Sequence, residues 1–279
     1  MLWKWSKTKR RRWQLEGVLG TSLDLQINAP DPESVFERCM ARIDELEEIF
    51  SSYRTTSEFS RFLNSNGKSI PLSDELAHVL KKAAEWRQQS GGVFDSSLGE
   101  HPIDKEIWTI SGSSGVCHTS AACTLNAIAK GYIVDQVAER AIALGATEVL
   151  VNIGGDLRHI GPKPVVIGIA NPMADNLKPL AAIKLLNQGI ATSGGAYRTD
   201  GSEDRSHIIN PLKKEGISRI VWCSSVAHSC FEADFAATIL TVTEGAMIPL
   251  NISGLEFVIT SSDGELKQSS GWSNLLKSK

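Results

Sequence analysis

The chain has 279 residues and a mass of 30.3 kDa, room for one large domain or two small ones at about 100–200 residues each. Apolar residues make up 42% and charged residues 22%, an ordinary globular mixture that excludes a disordered chain, a collagen and a coiled coil. The net charge is −3, and no apolar run approaches the roughly 18–20 residues that cross a bilayer.

The start is basic. Lys4, Lys7, Lys9, Arg10, Arg11 and Arg12 fall among residues 1–12 with no acid between them, beside Trp3, Trp5 and Trp13. The rest of the chain is therefore acidic, which argues against a broad nucleic-acid surface. A basic, Trp-containing start suits anionic lipid or RNA, but no periodicity extends it, and residues 1–14 are expected as a solvated, disordered tail. They resemble the charged end of a signal peptide. No apolar stretch follows, so no signal is predicted.

Residues 18–28 alternate at Leu23, Leu25 and Ile27, the period of a half-buried strand. Asp31-Pro32 then offers a cap and a proline for the first helical position. Val35, Phe36, Cys39, Met40, Ile43, Leu46 and Ile49 follow at steps of three and four, predicting an amphipathic helix. Ser73 opens a second helix with Asp74 and Glu75 in its first turn; Leu76, Leu80, Ala83 and Ala84 form its core face and Gly91-Gly92 end it. The Ser/Gly-rich stretch 111–121 predicts a loop. A third helix covers about 128–144. A strand over 147–153 runs into the turn Gly154-Gly155-Asp156, and further strands are expected at 165–170, 182–186 and 218–224. A helix at about 231–240 precedes a last strand near 254–260. Strands that abut one another without regular βαβ alternation predict an α+β fold. One catalytic domain is expected over residues 15–265, with a C-terminal tail at 266–279.

The five cysteines, Cys39, Cys117, Cys123, Cys223 and Cys230, are odd in number and form no C-x-x-C pair. That predicts neither a disulfide framework nor a zinc knuckle, and it fits a reducing compartment. HExxH, GxGxxG, GxSxG and the phosphate-loop pattern are missing from the sequence, which removes the main support for zinc protease, Rossmann, serine hydrolase and P-loop readings.

Four stretches carry candidate chemistry. In 124–131 (TLNAIAKG) Lys130 falls in the first turn of a helix, where the dipole disfavours a cation. It fits an anion such as phosphate held at the helix start, or a plain surface position. In 151–157 the Gly-Gly-Asp turn exposes backbone N–H groups to a ligand, or simply closes a hairpin. In 190–210, Thr192-Ser193-Gly194-Gly195 reads as a donor-rich loop, and His207 as a general base near neutral pH or as a structural histidine. In 232–240, Asp234 and Thr238 share one helix face. They present hard oxygens suited to Mg²⁺ held jointly with phosphate, or serve as a cap and a core threonine.

In this order the pieces resemble the ApbE family, the FAD:protein FMN transferases. The resemblance runs through Leu19-Gly20-Thr21; Phe50-Ser51-Ser52-Tyr53 with Ser57-Glu58-Phe59-Ser60-Arg61; Ser90-Gly91-Gly92-Val93-Phe94-Asp95; and Ile128-Ala129-Lys130-Gly131-Tyr132 with Asp135. It continues through Val151-Asn152-Ile153-Gly154-Gly155-Asp156; Ala191-Thr192-Ser193-Gly194; Ser206-His207-Ile208-Ile209-Asn210-Pro211; and Ala233-Asp234 with Ala237-Thr238. These span about residues 18 to 240, nearly the whole body.

The resemblance implies a mainly antiparallel α+β domain and a reaction in which FAD is cleaved at its pyrophosphate. FMN is joined through phosphate to a Thr or Ser hydroxyl of an acceptor protein, and AMP is released. It implies Mg²⁺ on the Asp234 carboxylate, the Thr238 hydroxyl and the Ala127 carbonyl. Lys130 would meet the FAD phosphates, while Leu19, Tyr53, Val93, Phe94, Asp95, Thr124 and Ile208 line the FAD site. His207 would be the base. Thr124 stands where many members carry Asp, although a subgroup with a hydroxyl residue and an Asn is similar to Thr124-Leu125-Asn126. Leu19 replaces the usual Met, Asn210 replaces an Asp beside His207, Ala196 is inserted, and the segment from Asp95 to Lys130 is short. Two other outcomes stay open: an FAD pyrophosphatase with water as acceptor, and a degenerate flavin- or partner-binding protein. Most relatives act outside the cytoplasm, so the resemblance points to a periplasmic or membrane-associated place and the missing signal to the cytoplasm.

Overall fold

The computed structural model describes residues 8–170, 179–194, 205–218, 221–246 and 250–277. An eight-stranded sheet runs in the order β1-β2-β6-β7-β10-β13-β14-β15, every neighbouring pair antiparallel. The strands are β1 (Lys9–Val18), β2 (Thr21–Ala29), β6 (Glu148–Ile153), β7 (Asp156–Ile160), β10 (Gly189–Gly194), β13 (Trp222–Ala227), β14 (Glu256–Thr260) and β15 (Leu266–Gln268). The alternation in β2 does what its period requires: Leu23, Leu25 and Ile27 are buried beneath the helices.

All the helices but the short one near the C-terminus lie on one face. In α1 (Pro32–Phe50) Asp31 caps the Ser34 N–H at 3.3 Å and Pro32 takes the first position. In α3 (Asp74–Gln89) Ser73 caps Leu76 at 3.2 Å. A short helix, α2 (Glu58–Leu63), lies between them, and α4 (Ala129–Ala143) packs against α1, β6 and β7. The last long helix, α5 (Cys230–Val242), is buried almost all round. Its Ala233 and Ala237 meet Ala191 and Ala227, so small side chains let it lie close on β10 and β13. On the other face a second cluster joins Leu157, Ile190, Trp222 and Val258 to the hairpin β8 (Val165–Ile169) and β9 (Ala181–Leu185), and to Trp272 of α6 (Trp272–Leu275). The fold is therefore α+β and mainly antiparallel, as expected.

Several expectations are corrected. Residues 9–14 are not a tail: they form the first half of β1, paired from Lys9 with Ala29 onward, and Trp13 stacks on Phe36 with ring centroids 4.5 Å apart. β1 is a sheet edge whose side chains are mostly exposed and charged, so it shows no apolar period. Residues 266–279 are not all tail either, since β15 extends the sheet and Trp272 is buried. The expected loop at 111–121 begins inside a hairpin, β4 (Trp108–Ser111) with β5 (Ser114–Cys117), which continues to β3 (Ile70–Pro71). Gly112 turns it with φ +59°. Thr192, Ser193 and Gly194 are in strand β10, not in a loop, and the strand placed at 218–224 is β13, four residues later.

Candidate active site

The first turn of α4 and the flank of α5 meet where Gly131 has no side chain. A Cβ there would stand 2.6 Å from the Cys230 carbonyl oxygen and 2.8 Å from Asp234 Cβ, closer than real Cβ atoms come. The glycine lets the Gly131 N–H reach the Asp234 carboxylate at 3.0 Å. Asp135, a turn further along α4, accepts from the Cys230 and Phe231 N–H groups at 2.9 and 2.8 Å. Arg158 Nε lies 3.5 Å from its carboxylate. Burial pushes the Asp135 carboxyl up to about 6, against the backbone donors and Arg158. Burial likewise raises Asp234 above the ordinary carboxylate range, with Lys130 and the Gly131 N–H pulling the other way.

Lys130 is half-buried and its ammonium is ion-paired with Asp156. Asp156 begins β7, just after a turn in which Gly154 and Gly155 hold φ of +59° and +96°. Asp156 is fully buried, and its second oxygen, Oδ1, has no hydrogen-bond partner. Thr238 follows Asp234 by one turn on the same face of α5 and is half-buried, while Ala127 lies in the turn entering α4. Among the described residues no three His, Cys, Asp or Glu side chains form a metal cage. The expected donors are instead one carboxylate, one hydroxyl and one carbonyl, all hard oxygens; this chemistry fits a small divalent cation.

The remaining predicted residues fall into two groups. Tyr53 is 81% exposed, and its hydroxyl accepts from Asn126 Nδ2 at 3.0 Å. The Asn126 N–H donates to Thr124 Oγ1 at 3.1 Å, and the Thr124 N–H to the Ser96 carbonyl at 2.8 Å. The exposed ring is thus tied to the segment entering α4. Val93, Phe94 and Asp95 point inward: Phe94 packs edge-on against Phe235 at 5.4 Å. Asp95 lies 3.1 Å from Arg87 Nε and accepts from the Ser97 N–H and hydroxyl at 2.8 and 2.7 Å. Arg87 also donates to the carbonyls of His101, Pro102 and Lys105, so the pair fastens the following loop. Leu19 is half-buried in the β1–β2 turn with φ +51°. Ile208 is half-buried on β11 (Arg205–Asn210), which pairs with β12 (Glu215–Ser218). His207 precedes it on that strand; its side chain, Gly195 and Ala196 lie outside the described residues. A cavity of about 560 Å³ between α3 and β4, lined by Arg87, Ser96, Ile103 and Trp108, touches none of Lys130, Asp156 and Asp234. Converging charge marks the candidate site more than volume does.

The profile of the ApbE family matches residues 19–114 and 103–250. The chain belongs to the ApbE family. It is 30% identical over 237 residues to the FAD:protein FMN transferase of Vibrio cholerae, taking in 72% of this chain and 70% of that protein. It is 27% identical over 219 residues to that of Haemophilus influenzae, taking in 64% and 63%. The fold matches the crystal structure of the ApbE protein of Thermotoga maritima with a TM-score of 0.84 at 19% identity, covering 97% of this chain and all of that one. The flavin transferase ApbE of Vibrio cholerae superposes with a TM-score of 0.79 at 23% identity, covering 96% and 100%.

Within the ApbE pattern two departures have local explanations. Asn210 Oδ1 accepts from the Leu212 and Lys213 N–H groups at 3.0 and 3.2 Å, a turn that Asn and Asp make equally well. Thr124 and Asn126 act together, the first capping the second and the second reaching Tyr53. The Thr192 hydroxyl is not a free donor. Thr192 Oγ1 meets Ser224 Oγ at 2.8 Å, and the Ser193 carbonyl accepts from Thr241 at 3.2 Å. The basic start is partly neutralised: Arg10, Arg11 and Arg12 pair with Glu148, Glu33 and Asp24 at 2.5, 3.1 and 2.5 Å. None of the helices among the described residues is long and apolar enough to cross a membrane. Sequence reasoning missed Asp156 and Asn126 as site residues. An acid directly after two glycines at the head of a strand is the signal that pointed to the first; nothing local marked the second.

Proposed function

We propose that this ApbE-family enzyme transfers FMN from FAD to a Thr or Ser hydroxyl of an acceptor protein in a Mg²⁺-dependent reaction that releases AMP. The observation that supports this most is the meeting of Lys130, Asp156 and Asp234 at the start of α4, a cation and two acids where a helix terminus already favours phosphate.

Asp234, Thr238 and the Ala127 carbonyl would hold Mg²⁺. When bound, the ion supplies charge stabilisation to the phosphate oxygens. Lys130 supplies the same from the protein side, as a fixed donor that needs no reorganisation during reaction. The acceptor oxygen attacks the FMN-side phosphorus, its bond to the bridging oxygen breaks, and AMP departs with that oxygen. His207 takes the hydroxyl proton on an imidazole nitrogen, a contribution typically worth about 10²–10⁴ in rate. Tyr53, exposed and held by Asn126, offers a flat face to a ring of the dinucleotide.

The test is AMP release from FAD, followed by chromatography, with Mg²⁺ and with EDTA and with an added acceptor segment. AMP that needs Mg²⁺, with FMN attached to the acceptor, supports the reading. Free FMN as the sole flavin product replaces it with a pyrophosphatase, and FAD bound without AMP replaces it with a binding protein. In the same assay His207→Ala is expected to slow transfer more than it weakens FAD binding; an unchanged rate removes the base.

A further inference from the structure

We propose that Asp156 is a positioning residue that aims the Lys130 ammonium at the phosphates of the bound nucleotide and keeps it off Asp234. The phosphate part rests on the flavin-nucleotide reading above; the lysine-holding part does not.

Lys130 is the second residue of α4, whose first turn carries no acid and whose N-cap, Ile128, offers no side-chain acceptor. A lysine there is opposed by the helix dipole. Two carboxylates lie close to it: Asp234 on α5, which accepts the N–H of the next residue, Gly131, at 3.0 Å, and Asp156 at the head of β7. The lysine pairs with Asp156, whereas Asp234 accepts the Gly131 N–H. This divides the labour. Were Lys130 to close on Asp234, it would cover the carboxylate oxygens that a cation needs.

Asp156 is built as a fixed anchor. It is fully buried, follows directly on the Gly154-Gly155 turn, and that turn is pinned by the Gly155 N–H on Asn152 Oδ1 at 3.0 Å. Its Oδ1 is buried without a hydrogen-bond partner, a destabilising arrangement, and its Oδ2 is given to the Lys130 ammonium. What the anchor provides is order. A free lysine side chain has rotamer entropy to lose on binding. An ammonium has three N–H donors, so one can stay on Asp156 while two turn to phosphate oxygens.

The test is a double-mutant cycle with a second readout that needs no turnover. For AMP release from FAD, Asp156→Asn is expected to lower kcat/KM about 30-fold and Lys130→Ala about 100-fold, with the double variant within about twofold of Lys130→Ala, because the acid acts through the lysine. A further tenfold loss on adding Asp156→Asn to Lys130→Ala would overturn the proposal. Independently, acylation of Lys130 by an amine-reactive ester, mapped by mass spectrometry against exposed Lys267, is expected to rise about tenfold in Asp156→Asn. Asp156→Glu, which keeps the charge, should stay within about twofold of the natural chain. Unchanged labelling in Asp156→Asn, or an equal rise in Asp156→Glu, would also overturn it. If the natural chain makes no AMP while Lys130 labelling rises as expected, the lysine-holding role stands and the flavin reading falls.

Discussion

Asp135 and Asp234 cap each other's helices. Asp135 belongs to α4 and accepts the Cys230 and Phe231 N–H groups that open α5; Asp234 belongs to α5 and accepts the Gly131 N–H in the first turn of α4. Helix N-termini carry unsatisfied N–H groups and partial positive charge. The exchange satisfies both ends with buried carboxylates and fixes how the two helices lie together. Lys130 and Asp234 are therefore placed by one joint rather than by two independent elements.

The Asp135 half of that joint predicts a pH signature. Its folded carboxyl is pushed up to about 6 from the ordinary 3.8, so between these values the folded state holds more protons than the unfolded state. Stability contributed by this group is present at low pH and declines as pH rises through about 4 to 6, by roughly 2–3 kcal/mol. Asp135→Asn mimics the protonated form. Its destabilisation should be larger near pH 4.5 than near pH 7, as read from urea unfolding at the two values. An equal cost at both would show that Asp135 does not titrate in this way.

Gly131→Ala tests the close approach itself. Alanine is the better helix former by about 1 kcal/mol, so a free helix would gain from the change. Here the added carbon meets the Cys230 carbonyl and Asp234 Cβ, and overpacking of this kind costs about 1–3 kcal/mol. A lower Tm together with a larger loss of AMP release is the expected pair of results. A raised Tm with full activity would mean that α4 and α5 can part without harm.

The sequence was legible where one side of an element is buried. The period of Leu23, Leu25 and Ile27 located β2, and the caps at Asp31 and Ser73 located two helices within a residue. Where both faces or neither are buried, the period vanishes. β1 is a charged edge whose residues are mostly exposed, and Thr192 is polar because its hydroxyl meets the Ser224 hydroxyl of the neighbouring strand. The site was legible as residue types, not as pairings. Lys130 was found from its conflict with the helix dipole, but its partner lies 26 positions away on another element. Val93, Phe94 and Asp95 formed a recognisable string whose side chains prove to face the core.

All five cysteines are free and buried. Burial pushes the Cys39 and Cys123 thiols up to about 12 and raises Cys117, Cys223 and Cys230 as well. The thiolate is the reactive form. At pH 8 the folded protein should therefore react with an aromatic disulfide reagent about 10³-fold more slowly than a free thiol does. All five should react promptly in denaturant. A fast equivalent in the folded state would place one thiol at the surface and contradict its burial.

Asp234→Asn separates the two tasks assigned to Asp234. The amide keeps an oxygen that can accept the Gly131 N–H, so the α4–α5 joint should survive and Tm should move by no more than about 2–4 °C, the size of a 1 kcal/mol change in a domain this large. The negative charge is lost. Among the three donors proposed for Mg²⁺ it is the sole charged one, the other two being a hydroxyl and a carbonyl, and affinity for hard cations follows ligand charge. AMP release at 1 mM Mg²⁺ should then fall by at least about 100-fold, with partial recovery at about 20 mM as weaker binding is overcome by mass action. Recovery of rate at high Mg²⁺ would assign the loss to the cation rather than to the fold. Full activity at 1 mM, with EDTA still arresting the natural chain, would move the cation away from Asp234 and leave that carboxylate as a helix cap alone.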